Sequence, residues 1–114
     1  MTRIYRAGSL EALATMDIIN TECVLDSRNQ KWETAEKWIH MSDDLSRRLE
    51  IGVFLRIGKV DEFQSTTAQL YREKLDELKH AVDDKDASRS RLHATDVQNA
   101  YSRMKKAFKK KYVN

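Results

Sequence analysis

DVQNAYSRMKKAFKKKYVN, residues 96–114, carries two patterns at once. Val97, Ala100, Tyr101, Met104, Ala107 and Phe108 recur at spacings of three and four, which puts them on one face of a helix. From Ser102 onward there are six basic residues, Arg103, Lys105, Lys106, Lys109, Lys110 and Lys111, and no acid. The whole chain is only +3, so the remaining residues sum to −3. An amphipathic helix with a cationic end predicts a helical domain that presents that end to something anionic.

The rest of the chain fits the same fold. Its 114 residues make one domain with a single modest core, residues 1–114, with residues 1–8 as an N-terminal arm and residues 102–114 as the basic helix end. There is no proline, only three glycines and no period-2 run of β-branched residues. Nothing interrupts long helices, and a sheet architecture needs more punctuation than this. Helix 1 is predicted from Ser9 as N-cap to Ser27, with Leu10, Leu13, Met16, Ile19 and Cys23 inward.

Arg28-Asn29-Gln30 is a polar break. Helix 2 then spans residues 32–57, with Trp32, Ala35, Ile39, Leu49, Val53 and Ile57 on one side, widened by Trp38, Leu45 and Leu55. Gly58 is placed to close it in a left-handed conformation. Helix 3 starts near Asp61 and carries Phe63, Leu70, Tyr71, Leu75, Leu78 and Val82 before Asp83-Asp84-Lys85-Asp86 ends the pattern. Residues 88–95 are polar, a loop or an early helical turn with Leu92 as anchor, and Thr95 or Asp96 is expected to cap helix 4. Four amphipathic helices with short connections predict an all-α, up-down-up-down four-helix bundle.

Catalytic constellations are missing: there is no glycine-rich phosphate loop, HExxH or GxSxG, so no enzyme is expected. The single cysteine, Cys23, excludes an internal disulfide and reads as a buried, inert thiol. His40, His80 and His93 fall on different segments and no pair has i, i+4 spacing, so neither a metal site nor a cofactor is expected. A haem- or metal-binding bundle, with a haem held by one histidine and Met16 or Met41, is the third reading of the chain, after the two below. Leu70-Tyr71-Arg72 spells the tripeptide of the mitochondrial LYR adaptors, but Leu70 and Tyr71 are needed for the helix 3 stripe. No apolar run approaches the roughly 20 residues that span a bilayer. The opening MTRIYRAGSLEAL lacks the apolar core of a secretory signal, which predicts a cytoplasmic protein or a mature form.

The basic end has three readings. It could dock on an acidic protein or membrane surface, or grip nucleic-acid phosphates with Tyr101, Phe108 and Tyr112 as stacking partners. It could also be a solvated tail that complements the helix dipole. Five lysines to one arginine suit general attraction better than base readout.

A set of spaced residues adds a resemblance. Trp38 is followed by Asp44-Leu45, the pair Arg47-Arg48, and Leu55-Arg56 near the end of the same helix. Leu75-Asp76-Glu77-Leu78 follows with Ala81, Lys85 and Asp86, and then Tyr101 on the last helix. Over roughly residues 30–108 this resembles the PsbQ-type extrinsic subunits of photosystem II, with a longer gap between the Asp-Leu and Leu-Arg steps. The resemblance implies a non-catalytic four-helix bundle on the thylakoid-lumen face of photosystem II. Such a subunit helps retain the ions of the water-oxidising centre and supports its neighbours. The implied partners are the photosystem II core and other extrinsic subunits, reached through basic surface residues. Arg47, Arg48 and Arg56 match motif positions, whereas Arg103, Lys105, Lys106, Lys109, Lys110 and Lys111 are nominated from charge alone. The last helix is also similar to that of cytochrome c′-like bundles, but residues 107–111 contain neither Cys nor His, which excludes attached haem.

Overall fold

The computed structural model describes the backbone of residues 2–113 and the side chains of residues 12–109. Readings that rest on the side chains of Leu10, Lys110, Lys111 and Tyr112 therefore lie outside the described residues, while residues 2–8, expected as an arm, belong to the first helix. Four helices follow one another: α1 Thr2–Arg28, α2 Trp32–Ile57, α3 Glu62–Asp83 and α4 Ala87–Val113. α1 packs on α2 and α4, and α3 packs on α2 and α4, which closes the four into an up-down-up-down bundle. A 27-residue helix is about 40 Å long, and the molecule measures 45 × 22 × 18 Å.

The helix ends show how local chemistry sets the turns. Gln30, Gly58 and Lys85 adopt φ of 61°, 80° and 53°, each just past the end of a helix. Around Gln30, the Lys31 N–H donates to the Asp26 carbonyl at 3.0 Å. Around Lys85, the Asp86 N–H donates to Ala81 and the Lys85 N–H to Val82, both at 3.0 Å. These are Schellman closures that satisfy orphan carbonyls of α1 and α3. Glycine takes the left-handed region without steric cost, so Gly58 was readable as the left-handed residue, while at Gln30 and Lys85 only the polar break was.

Two helix starts are equally specific. Asp61 accepts from the Gln64 N–H at 2.9 Å and Gln64 Oε1 accepts from the Asp61 N–H at 3.4 Å, a reciprocal capping box. Asp86 accepts from the Arg89 N–H at 3.0 Å, so α4 starts at Ala87 and not behind Thr95 or Asp96. The polar stretch 88–95 is therefore two turns of helix, with Ser90 and Ala94 facing the core and Leu92 61% exposed. α1 likewise begins at Thr2, which leaves Ser9 inside it. No proline opposes that extension, and one glycine costs only about 1 kcal/mol relative to alanine.

The core is built from the expected stripes. Leu13, Met16, Ile19 and Cys23 of α1 meet Ala35, Ile39, Leu49 and Val53 of α2. Tyr71, Leu75, Leu78 and Val82 of α3 face Val97, Tyr101, Met104 and Phe108 of α4. Trp32, Trp38 and Leu45 pack at the margin, and Trp38 Nε1 donates to Asp26 Oδ2 at 2.9 Å across α1 and α2. Arg72 crosses from α3 to Glu50 of α2 at 2.7 Å in a mostly buried pair. Leu55, Ile57 and Phe63 depart from the expected core and lie exposed. Leu55 is two residues from Val53, about 200° round the helix, so it points away when Val53 points in.

Candidate docking surface

The basic residues nominated from the sequence fall into three environments. Arg47 and Arg48 each meet an aspartate one turn earlier, Asp43 at 3.0 Å and Asp44 at 2.9 Å. These exposed i, i+4 pairs balance charge locally and contribute little to stability. Arg56 is half-buried near the end of α2. Lys105 turns inward, its Nζ 2.8 Å from Asp17 Oδ2 on α1. Arg103, Lys106 and Lys109 are exposed and make no ion pair among the described residues. Each step of three turns back by about 60°, so they form a slanted band over about 120° of α4, with Lys109 one turn beyond Lys105 on the Asp17 side.

Lys105 belongs to a polar network inside the bundle. Asp17 accepts from Lys105 and from the Tyr101 hydroxyl. The Tyr101 ring lies 5.6 Å from that of Tyr71, whose hydroxyl donates to Asn20 Oδ1 at 2.7 Å. Asn20 Nδ2 in turn donates to Gln98 Oε1 at 3.1 Å. Partial burial pushes the Asp17 carboxyl up, but the Lys105 ammonium and the Tyr101 hydroxyl, helped by Lys109, more than offset it. The carboxyl therefore sits below its ordinary range. Burial, then the Asp17 charge, raises Tyr101 and keeps its hydroxyl a donor. Cys23 is fully buried beside Ser42, and desolvation followed by the Asp26 charge pushes its thiol up to about 12. It is protonated and unreactive at neutral pH.

Exposed apolar side chains lie at the same end of the bundle as the α4 cations, on α2 and α3. Gln64 Nε2 donates to the Ala107 carbonyl at 3.4 Å, which sets the start of α3 beside the basic end of α4. Phe63 adjoins Gln64 and is 62% exposed; Phe54, Leu55 and Ile57, before the α2–α3 turn, are 56%, 65% and 41% exposed. Lys59, Asp61 and Glu62 punctuate this apolar area. Composition alone concealed the patch, because Leu55, Ile57 and Phe63 read equally well as core. By contrast, Tyr101 and Phe108 are buried, so neither offers a face on which a base could stack.

Elsewhere, a hollow of about 730 Å³ lies between the start of α2 and the end of α3. Its lining of Lys31, Trp32, Glu33, Glu36, Asp83 and Lys85 mixes charges without a nucleophile–base pair. His40 is exposed and His80 pairs with Asp76 at 3.5 Å on the surface. His93 is instead half-buried between α3 and α4, and meets both Glu77 and Asp96. Met16 is core and Met41 partly exposed. Among the described residues no helix is long and apolar enough to cross a membrane. Comparisons with protein families, with curated proteins and with solved structures find no match.

Proposed function

We propose that this bundle is a non-catalytic docking subunit that seats its basic, apolar-rimmed end on an acidic surface of a larger protein assembly. One observation carries the reading. Arg103, Lys106 and Lys109 are exposed and make no ion pair among the described residues, and they lie at the same end as the exposed side chains of Phe54, Leu55, Ile57 and Phe63. Exposed apolar side chains and outward cations at one end of a bundle can share a protein interface, in which the apolar part supplies affinity and the charge supplies steering and orientation. Lys110 and Lys111 extend the cationic block in sequence. Arg47 and Arg48 are secondary contributors, because Asp43 and Asp44 already answer their charge.

The PsbQ-type resemblance gives this proposal a partner, the lumenal face of photosystem II, and a compartment, the thylakoid lumen. The four-helix architecture and the motif positions on α2 and α3 support it. The test is rebinding to photosystem II membranes stripped of extrinsic subunits by salt. Wild-type protein is expected to rebind at low salt and to be released as ionic strength rises. A variant combining R103E, K106E and K109E is expected to lose rebinding while keeping its helical circular dichroism. Reversal of Arg47 and Arg48 should weaken binding less. Rebinding of the triple variant at wild-type level would overturn the docking surface, and no wild-type rebinding would overturn the photosystem assignment. Retention on immobilised polyglutamate, lost in the triple variant, would then still mark an acid-seeking surface. A labelled oligonucleotide bound more tightly than polyglutamate would favour the nucleic-acid reading instead.

A further inference from the structure

Glu77 on α3 and His93 with Asp96 on α4 bring three ligating atoms within 4.8 Å of one another. His93 Nδ1 lies 3.7 Å from Glu77 Oε2 and 3.7 Å from Asp96 Oδ2. Both separations are too long for a hydrogen bond. The nitrogen itself is shielded from solvent and has no hydrogen-bond partner. The shielded nitrogen thus faces one carboxylate from each of two helices. We infer that Glu77, His93 and Asp96 form a divalent transition-metal site, selective for Zn²⁺-type ions, that clamps α3 to α4.

The dimensions suit such an ion. A tetrahedral centre with bonds of about 2.1 Å holds its ligand atoms about 3.4 Å apart, so the two nitrogen–oxygen separations need close by only a few tenths of an ångström. The longer carboxylate–carboxylate edge closes by rotamer changes. Glu77 and Asp96 keep 46% and 38% of their side chains exposed and can swing without disturbing the core. One imidazole with two carboxylates is a borderline donor set, which favours Zn²⁺ and its transition-metal neighbours over Ca²⁺ or Mg²⁺, whose sites are built from oxygen alone. Three protein ligands leave a fourth position for water. The Lys74 ammonium, 3.4 Å from Glu77 Oε2, balances part of the carboxylate charge when no ion is bound, and is free to retreat into solvent when one is.

The sequence hid this site because its ligands come from two helices. The spacing of His93 and Asp96, three residues apart on one helix face, was its only local trace.

The test is a titration of chelator-treated full-length protein with Zn²⁺, read by calorimetry and by thermal melting. One ion per chain is expected, with Tm rising by roughly 10 °C at a hundredfold excess over Kd. E77Q and H93A should each abolish the rise, whereas H80A, which removes the separate surface pair with Asp76, should keep it. Glu77 is half exposed, so E77Q preserves the fold and keeps the result readable if H93A destabilises the core. Cobalt(II) added in place of zinc should give visible ligand-field absorption that E77Q removes. No Zn²⁺-dependent rise in the wild type, or a rise that survives E77Q, would overturn the site.

Discussion

Lys105 and Lys106 are neighbours in the chain and lie about 100° apart around α4. Lys105 reaches back across the bundle to Asp17 and takes part in the Tyr101–Asp17 network. Lys106 points outward with Arg103 and Lys109 and meets no acid among the described residues. A block that reads as uniform charge is thus divided by helical geometry: Lys105 pairs with α1 directly, Lys109 supports that pair through its charge, and Arg103 and Lys106 face outward. The inward face of α4 should therefore govern stability, and the outward face should govern only what the protein binds.

The sharpest way to break this division is at the inner face. Phe108 is fully buried between the lysines, so Phe108→Ala should cost about 3–5 kcal/mol, a large share of the 5–15 kcal/mol typical of a domain. Urea denaturation followed by circular dichroism would measure it. A loss under about 1 kcal/mol would mean that the last turns of α4 add little to the core, and the division would fail. The outward triple variant R103E, K106E and K109E should by comparison stay within about 0.5 kcal/mol per residue of the wild type.

Tyr71 and Tyr101 sharpen the comparison within the network. The Tyr71 hydroxyl donates to Asn20, which is 1% exposed, so Tyr71→Phe strands a buried acceptor and should cost about 1–3 kcal/mol. Tyr101 donates to Asp17, whose side chain is 41% exposed, and water can replace the lost hydroxyl in Tyr101→Phe. Its cost should be clearly smaller under the same urea assay. Equal losses would show that Asp17 is held as firmly as Asn20.

The residues legible in advance were those whose burial follows helix period alone. Val97, Ala100, Tyr101, Met104, Ala107 and Phe108 all proved buried, because a stripe on a long uninterrupted helix has one way to meet its neighbours. Gly58 marked its turn because glycine advertises a left-handed backbone; at Gln30 and Lys85 the polar stretches marked the breaks, but not the residue that takes the left-handed conformation. Phe63 and Ile57 misled because periodicity near a helix end cannot tell a core position from an exposed one when the neighbouring helix is not yet placed. Leu55, about 200° from Val53, could have been read as outward. The partition of the basic residues was invisible for a related reason. Asp43 and Asp44 sit one turn from Arg47 and Arg48, a local spacing that could have been read. Asp17 is 88 residues from Lys105, and only the packing of α1 on α4 joins them.

The smallest expected effect concerns acid, and its sign follows from Asp17. The carboxyl is held below its ordinary value in the folded chain, so its contribution is fully present above the unfolded value near 3.9 and is lost as pH falls through the lower folded value. Both Asp17 and Lys105 are more than a third exposed, and screening limits the contribution to under about 1 kcal/mol. Asp17→Asn should therefore lower the urea midpoint slightly at pH 6, and the gap to the wild type should shrink between pH 4 and pH 2. Lys105→Met should reproduce much of that behaviour, since it removes the cation that holds the carboxylate charged. Lys106→Met should track the wild type at every pH, because Lys106 has no acid to stabilise. A gap that widened toward low pH would reverse the assigned sign. An effect of Lys106→Met equal to that of Lys105→Met would show that the network draws on the general field of the basic end and not on the one contact.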